Sequence, residues 1–257
     1  MEIRLDESLP DVERYLDSAR RLGLEDHATE FETTLRLIRR FVPLNADTRI
    51  LEVGTGTGWF PLMCKQSGLR CKGLEISPQL IAYAKEFGRR YGLDPDIELG
   101  NLEEHDIGES LYDVVIANSV FEHIEFWERA LERVCRALRP GGMMYFASTN
   151  KFSIKSHEYP MPFYGWMPDR MRYRFRIARH GPGIMKLGID FNQFTYPQLR
   201  RAFRRAGFSR IYDRVDLAET DRYPFWKKHI LRIVQRTPLL KHPVLAFCDA
   251  TAFICVK

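Results

Sequence analysis

No apolar run in this 257-residue chain approaches the roughly 20 residues that a bilayer-spanning helix needs. The opening Met1-Glu2-Ile3-Arg4-Leu5-Asp6-Glu7 is acidic and has no apolar stretch behind it, so no secretory leader is expected and a cytoplasmic location is the default. Cysteine is scarce: Cys64, Cys71, Cys135, Cys248 and Cys255 are odd in number and include no C-x-x-C pair. A disulfide framework and a zinc site are therefore not expected, and the absence of C-x-x-x-C-x-x-C sets iron–sulfur radical chemistry aside. Neither an internal repeat nor a low-complexity tract interrupts the chain.

What is present is ordinary in amount and uneven in distribution. Hydrophobic residues make up 45% and charged residues 28%, enough apolar material for one elaborated domain. The net charge of +5 conceals a split: residues 1–150 carry 18 Lys and Arg against 26 Asp and Glu, and residues 151–257 carry 21 against 8. Such a basic C-terminal third points to an acidic counterpart: a phosphorylated substrate, a lipid surface or nucleic acid. The alternative is a solvated basic face.

Periodicity predicts helices over 10–22 and 26–42, the second with Phe31, Leu35, Ile38 and Val42 on one face and Pro43 as its stop. Short apolar strands follow at 49–53, 70–74, 96–99, 112–117 and 142–148, with helical stretches near 59–67, 78–91 and 126–138 between them. Strands alternating with helices imply a parallel sheet covered on both faces. Beyond Asn150 the rhythm breaks: 151–190 is rich in Pro, aromatics and Arg, and is expected to be a lid. A helix at 195–206, a strand at 208–217, a helix at 223–236 and a last strand at 247–256 complete the prediction.

The strand Ile50-Leu51-Glu52-Val53 runs into Gly54-Thr55-Gly56-Thr57-Gly58 and then a helix. Glycine serves where the backbone takes positive φ or where a ligand must approach the main chain. A nicotinamide-binding turn, G-x-G-x-x-G/A, would need a small residue where Trp59 stands. Here the spacing is E-x-G-x-G-x-G, with Glu52 as an acidic neighbour suited to an ammonium group. Glu75 ends the next strand about 20 residues past the loop, where a carboxylate accepts hydrogen bonds from ribose hydroxyls.

From these segments and those downstream, the chain resembles the class I S-adenosylmethionine-dependent methyltransferases. It looks closest to the small-molecule branch that contains ubiquinone-biosynthesis O-methyltransferases, over roughly residues 45–210. That resemblance implies an α/β, Rossmann-like, seven-stranded mostly parallel sheet, with N-terminal helices and an inserted substrate lid. It implies S-adenosylmethionine as cofactor, held by Glu52, Gly54, Gly56, Gly58, Glu75 and Ile76. Family members usually have Gly-Asp after strand three; this chain has Gly100-Asn101-Leu102-Glu103, so Asn101 and the Leu102 backbone would meet the adenine, with Glu103 as the substitute candidate. The segment Tyr112-Asp113-Val114-Val115-Ile116-Ala117-Asn118-Ser119-Val120-Phe121-Glu122-His123 is similar to the family's fourth strand and its exit. It implies Asn118 and Ser119 beside the methionyl end and His123 as the candidate base. Leu138-Arg139-Pro140-Gly141-Gly142 matches the turn before strand five.

Two acceptor classes are disfavoured. Nucleobase amines are served by Asn/Asp-Pro-Pro-aromatic, whereas this chain has Asn118-Ser119-Val120-Phe121, and no cysteine follows a proline as cytosine C5 chemistry needs. Nucleic acid is thus not the expected partner. A small or lipid-linked, anionic acceptor methylated at oxygen is expected instead, with no metal. The rivals are a nicotinamide oxidoreductase and a cofactor-binding subunit without catalysis. The expected layout is a helical cap at 1–44, the cofactor core at 45–150, the lid at 151–190, and the rest of the sheet at 191–257 with a basic helical insertion at 216–246. Taken as a strand, 170–177 would carry a basic face of Arg170, Arg172, Arg174 and Arg176. A helix over 224–236 would group Trp226, Ile230, Ile233 and Val234, with Lys227, Lys228, Arg232 and Arg236 elsewhere. With Trp166, these segments are expected to give the stretch 151–241 a peripheral contact with an anionic membrane.

Overall fold

The structure, a computed structural model, describes residues 12–155, 161–181, 191–219 and 224–257. Seven strands form one sheet: β1 (Arg49–Val53), β2 (Arg70–Glu75), β3 (Ile97–Leu99), β4 (Tyr112–Asn118), β5 (Leu138–Thr149), β6 (Arg210–Asp213) and β7 (Ala250–Val256). Their spatial order is β3-β2-β1-β4-β5-β7-β6, with β1 to β5 parallel and β7 antiparallel to both its neighbours. β1 and β4 are adjacent, and the chain leaves them in opposite directions across the sheet. That reversal opens a crevice beyond their carboxyl ends, the place where open α/β sheets bind ligands.

Helices cover both faces. On one, α2 (Ala28–Arg39), α3 (Trp59–Gln66) and α4 (Pro78–Arg89) bury Phe31, Leu35, Ile38, Phe60 and Phe87 against Ile50, Val114, Ile116 and Ile254. On the other, α5 (Trp127–Ala137) and α7 (Tyr196–Ala206) bury Trp127, Leu131, Val134 and Phe203 against Leu51, Val115, Phe146 and Phe253. The alternation of Val114, Val115, Ile116 and Ala117 between faces is the two-residue period of a strand buried on both sides. Each fully buried side chain of this size contributes about 1.5–3 kcal/mol. Helix starts are set locally: Ser77 Oγ accepts from Leu80 N and Thr195 Oγ1 from Gln198 N, with a proline in the first turn of each helix. Among the described residues, no helix is long and apolar enough to cross a membrane.

The N-terminal segment contributes α1 (Val12–Ala19), and Leu24–His27 is a 3₁₀ turn leading into α2. The C-terminal third departs from expectation in three places. Residues 170–177 are not a strand but part of helix α6 (Asp169–His180), so the alternating arginines do not share a face. Arg172 and Arg176, four apart, turn inward at 0% and 7% exposure, whereas Arg170 and Arg174 face solvent. The strand expected over 208–217 is shorter: after Asp213 the chain caps helix α8 (Arg214–Leu217), the Asp213 carboxylate accepting from Val215 N and Asp216 N. Helix α9 (Phe225–Arg236) is as expected, but Val234 is buried while Trp226, Ile230 and Ile233 are exposed; α10 (Pro238–Ala246) follows. About a third of the expected lid, 156–160 and 182–190, lies outside the described residues, as do 220–223 within the expected basic insertion and the side chain of Lys227.

Candidate active site

The crevice is built from the ends of β1, β2 and β4. The glycine loop after β1 is pinned to β2: Gly54 N and Thr55 N both donate to Leu74 O, at 2.7 and 3.2 Å. Gly56 and Gly58 have φ of +55° and +72°, conformations that favour glycine. At Gly58 a Cβ would come within 2.6 Å of Ala84 Cβ on α4, so only glycine lets α3 start here.

Glu75 closes the loop from the other side. One carboxylate oxygen accepts from Gly56 N at 2.8 Å, the other from Ile76 N at 2.9 Å and Ser77 N at 3.0 Å. Burial pushes its pKa up, and the three backbone donors oppose that shift. A buried carboxylate held in this way keeps one acceptor position, on the oxygen that meets Gly56, for a ribose hydroxyl.

Glu52 lies below the loop, buried, and accepts a short hydrogen bond from the Thr55 hydroxyl. Burial raises its pKa to about 8; the Thr55 hydrogen bond pulls the other way, and the charge of Glu75 adds to the rise. A carboxyl so poised ionises when a cation is placed beside it.

Beyond β3, Asn101 and Leu102 are buried in the loop that leads to β4. Asn101 Oδ1 accepts from Glu103 N at 3.0 Å, an Asx turn that fixes the loop and leaves one lone pair on that oxygen. The Glu103 carboxylate accepts from Phe126 N with one oxygen and from Asn101 Nδ2, at 3.5 Å, with the other. Asn118 and Ser119, at the end of β4, are exposed to the crevice, and Ser119 has φ of +55°. A non-glycine residue held there is a local strain of the kind that gathers at binding sites.

A cleft lined mostly by polar residues adjoins that same turn. It is lined by Ser119, Glu122, Ser148, Asn150, Lys155 and Asp249, among others. Val120 joins the two halves: a Cβ on Gly54 would meet its side chain at 2.4 Å, while Ser119 next to it lines the cleft. Glu122 is fully buried and accepts from Ser148 Oγ at 2.6 Å. His123 follows it in the 3₁₀ turn Phe121–His123 and is half-buried, and it is Glu122 that lines the cleft.

Two residues of this region carried no recognised signal in the sequence. Glu122 was visible only as the neighbour of His123. Tyr15 came from a helix with no motif: its hydroxyl sits 3.1 Å from where a Gly56 Cβ would be and hydrogen-bonds Thr57. Burial of that hydroxyl end, then the charge of Glu75, pushes the phenol pKa up although the ring is half exposed. The two together place α1 over the glycine loop.

Comparison with known proteins agrees with this geometry. A methyltransferase-domain family model matches residues 25–212. The malonyl-[acyl-carrier protein] O-methyltransferase of Pectobacterium atrosepticum is 30% identical over 131 residues, 50% of this chain and 50% of that protein. The ubiquinone biosynthesis O-methyltransferase of Methylocella silvestris is 31% identical over 127 residues, 47% and 48% of the two chains. The chain thus spans about half the length of the curated relatives it matches. In fold it is similar to an S-adenosylmethionine-dependent methyltransferase from Mesorhizobium loti, with a TM-score of 0.56 at 18% identity, covering 86% of this chain and 96% of that one. Family match, sheet order and the glycine loop at the β1/β4 switch point agree: the chain belongs to the class I S-adenosylmethionine-dependent methyltransferase family, whose cofactor is S-adenosylmethionine.

Proposed function

We propose that the protein transfers the methyl group of S-adenosylmethionine to an oxygen atom of a small or lipid-linked, anionic acceptor seated in the polar cleft. The observation that carries this reading is the continuity between loop and cleft through Ser119 and Val120. A sulfonium methyl beside Ser119 would point along that path. Methyl transfer is an in-line displacement, and alignment of the two reactants alone is worth up to about 7–11 kcal/mol.

In this reading Glu75 accepts from the ribose, Glu52 faces the methionyl ammonium, and Asn101 with Leu102 borders the adenine. The backbone of Gly54, Gly56, Gly58 and Ile76 lets the cofactor approach, with Asn118 and Ser119 at its methionyl end. A hydroxyl acceptor must lose a proton, which a carboxylate acceptor has already lost, and the turn Phe121–His123 offers two groups for it: His123, and Glu122 with its Ser148 hydrogen bond. Lys155 on the cleft wall would meet the acceptor's negative charge. Support for oxygen as the methylated atom comes from the relatives, both named as O-methyltransferases. The protein would work in the cytoplasm, at the inner face of a membrane where the acceptor is lipid-linked.

The test is transfer of labelled methyl from S-adenosylmethionine into aqueous and lipid extracts, followed by alkaline hydrolysis of the product. Label released as methanol identifies a carboxylate ester, and base-stable label that hot hydriodic acid frees as iodomethane identifies a methyl ether; label on nitrogen or carbon, or in protein or nucleic acid alone, would contradict the proposal.

A further inference from the structure

We propose that α9, α10 and an aromatic cluster at the cleft mouth form one surface that docks on an anionic lipid bilayer. On α9, Phe225, Trp226, Ile230 and Ile233 stand out at 76, 60, 55 and 57% exposure, while Leu231 and Val234 hold the helix to the body of the protein. On α10, which packs against α9, Leu239 is 84% exposed, and Leu240 and Val244 are exposed beside it. Large side chains gathered in this way on a soluble surface mark a contact site.

The surface runs on to the cleft. Phe247, just past α10, lies 6.5 Å from Trp166, which packs edge-on against Phe152 and Phe163 at 5.8 and 5.3 Å. Trp166 Nε1 donates to Ser153 O, and Gly165 and Ser153 both line the cleft. Asn150, on the cleft wall, donates to the carbonyls of Leu245, Ala246 and Cys248, fastening the end of α10 to the same wall.

Charge selects the occupant. No Asp or Glu occurs between Tyr223 and Cys248, and Arg232 and Arg236 are exposed among the apolar residues of α9. Apolar side chains flanked by cations on one helix are the profile of an interfacial helix on anionic lipid. A second copy would bring the same cations face to face across a two-fold axis, which opposes a homodimer here. Arg172, Arg176 and Lys241 take no part, the first two being buried and the third ion-paired with Asp213 and Asp216. The orientation of the cleft mouth toward lipid rests on the reading of the cleft as the acceptor site. Docking would then let a lipid-linked acceptor enter without leaving the bilayer.

The test is co-sedimentation of the full chain with phosphatidylcholine vesicles, with and without about one third phosphatidylglycerol. Binding to the anionic vesicles at ~0.1 M salt should exceed binding to the neutral ones at least tenfold and fall at ~1 M, where the Debye length shrinks to ~3 Å. Arg232→Gln with Arg236→Gln should weaken it roughly thirtyfold, about fivefold per charge. Trp226→Ser with Ile230→Ser should weaken it at both salt concentrations, with affinity for S-adenosylhomocysteine unchanged. Equal binding to both vesicle types, no binding, or a dimer in solution that Trp226→Ser with Ile230→Ser dissolves would overturn the proposal. Wild-type protein that binds anionic vesicles and fails to bind S-adenosylhomocysteine would instead overturn the methyltransferase reading.

Discussion

Glu52 offers a prediction that depends on both the loop and the ligand. Burial holds its pKa at about 8, so near pH 7 about nine in ten empty sites carry the carboxyl form. If the methionyl ammonium of the cofactor takes Glu52 as its counter-charge, binding must ionise it. Each ligand bound near pH 7 then releases about 0.9 proton, and affinity rises about ninefold between pH ~6 and ~7, levelling above ~8. S-adenosylhomocysteine is the suitable probe, because it keeps the amino-acid end and lacks the sulfonium charge. Calorimetry in two buffers of different ionisation enthalpy reads the proton number directly, and Glu52→Gln should abolish both the release and the pH slope. The same shift acts on the empty protein. Its native pKa lies above the ordinary 4.5, so stability is fully present below about pH 4.5 and is lost as pH rises toward 8. At ~1.36 kcal/mol per pH unit the loss is about 3 kcal/mol at pH 7, and Glu52→Gln should remove it. Zero proton release with a flat affinity profile would refute the placement of the ammonium at Glu52.

The remaining predictions test other parts of the site and its support. Glu122→Gln and His123→Ala separate the two candidate bases: the variant of the true base loses about 10²–10⁴-fold in kcat at neutral pH, and the loss shrinks as pH rises and a hydroxyl acceptor ionises unaided. Unchanged kcat in both would remove the turn from proton transfer. Gly56→Val adds a branched side chain at φ +55° against the Tyr15 hydroxyl, so S-adenosylhomocysteine binding should vanish while the circular dichroism spectrum stays native. Wild-type affinity in that variant would show that the ligand does not approach this turn. Lys241→Met leaves the buried Asp213 with Arg200 as its one ion-pair partner among the described residues and should cost up to about 3 kcal/mol in urea denaturation, whereas a cost near zero would show the cluster to be solvated.

The cofactor half of the molecule was legible because its demands are local. Glycine spacing, the acidic end of β2 and the apolar run of β4 each leave a mark within a few residues, and the element bounds came out within a residue or two. Only β5 extends further, through Leu138–Gly142, where the chain bulges and still pairs with β4. The C-terminal third was read less well, for a physical reason. Alternation of Arg with Met, Tyr, Phe and Ile suits a strand, yet at helical spacing the same residues place Arg172 and Arg176 inside, where Tyr164 and Tyr173 face the Arg172 guanidinium. Tertiary partners decide such a segment, and the sequence window does not contain them. Val234 makes the same point: α9 is amphipathic in two directions, and packing against α8 and α10 chooses the buried one. Tyr15 is the extreme case, a site residue whose role depends wholly on where α1 is laid.

The glycine loop and Glu75 are expected to bind the adenosyl cofactor together. Calorimetric titration of wild type and Glu75→Ala with S-adenosylhomocysteine, and of wild type with NAD, tests it most directly. Saturable binding of S-adenosylhomocysteine is expected, with none of NAD and a loss of roughly 10–150-fold in the folded variant, the effect of removing a charged hydrogen-bond partner of the ribose. Equal affinity in wild type and Glu75→Ala, or preference for NAD, would contradict it.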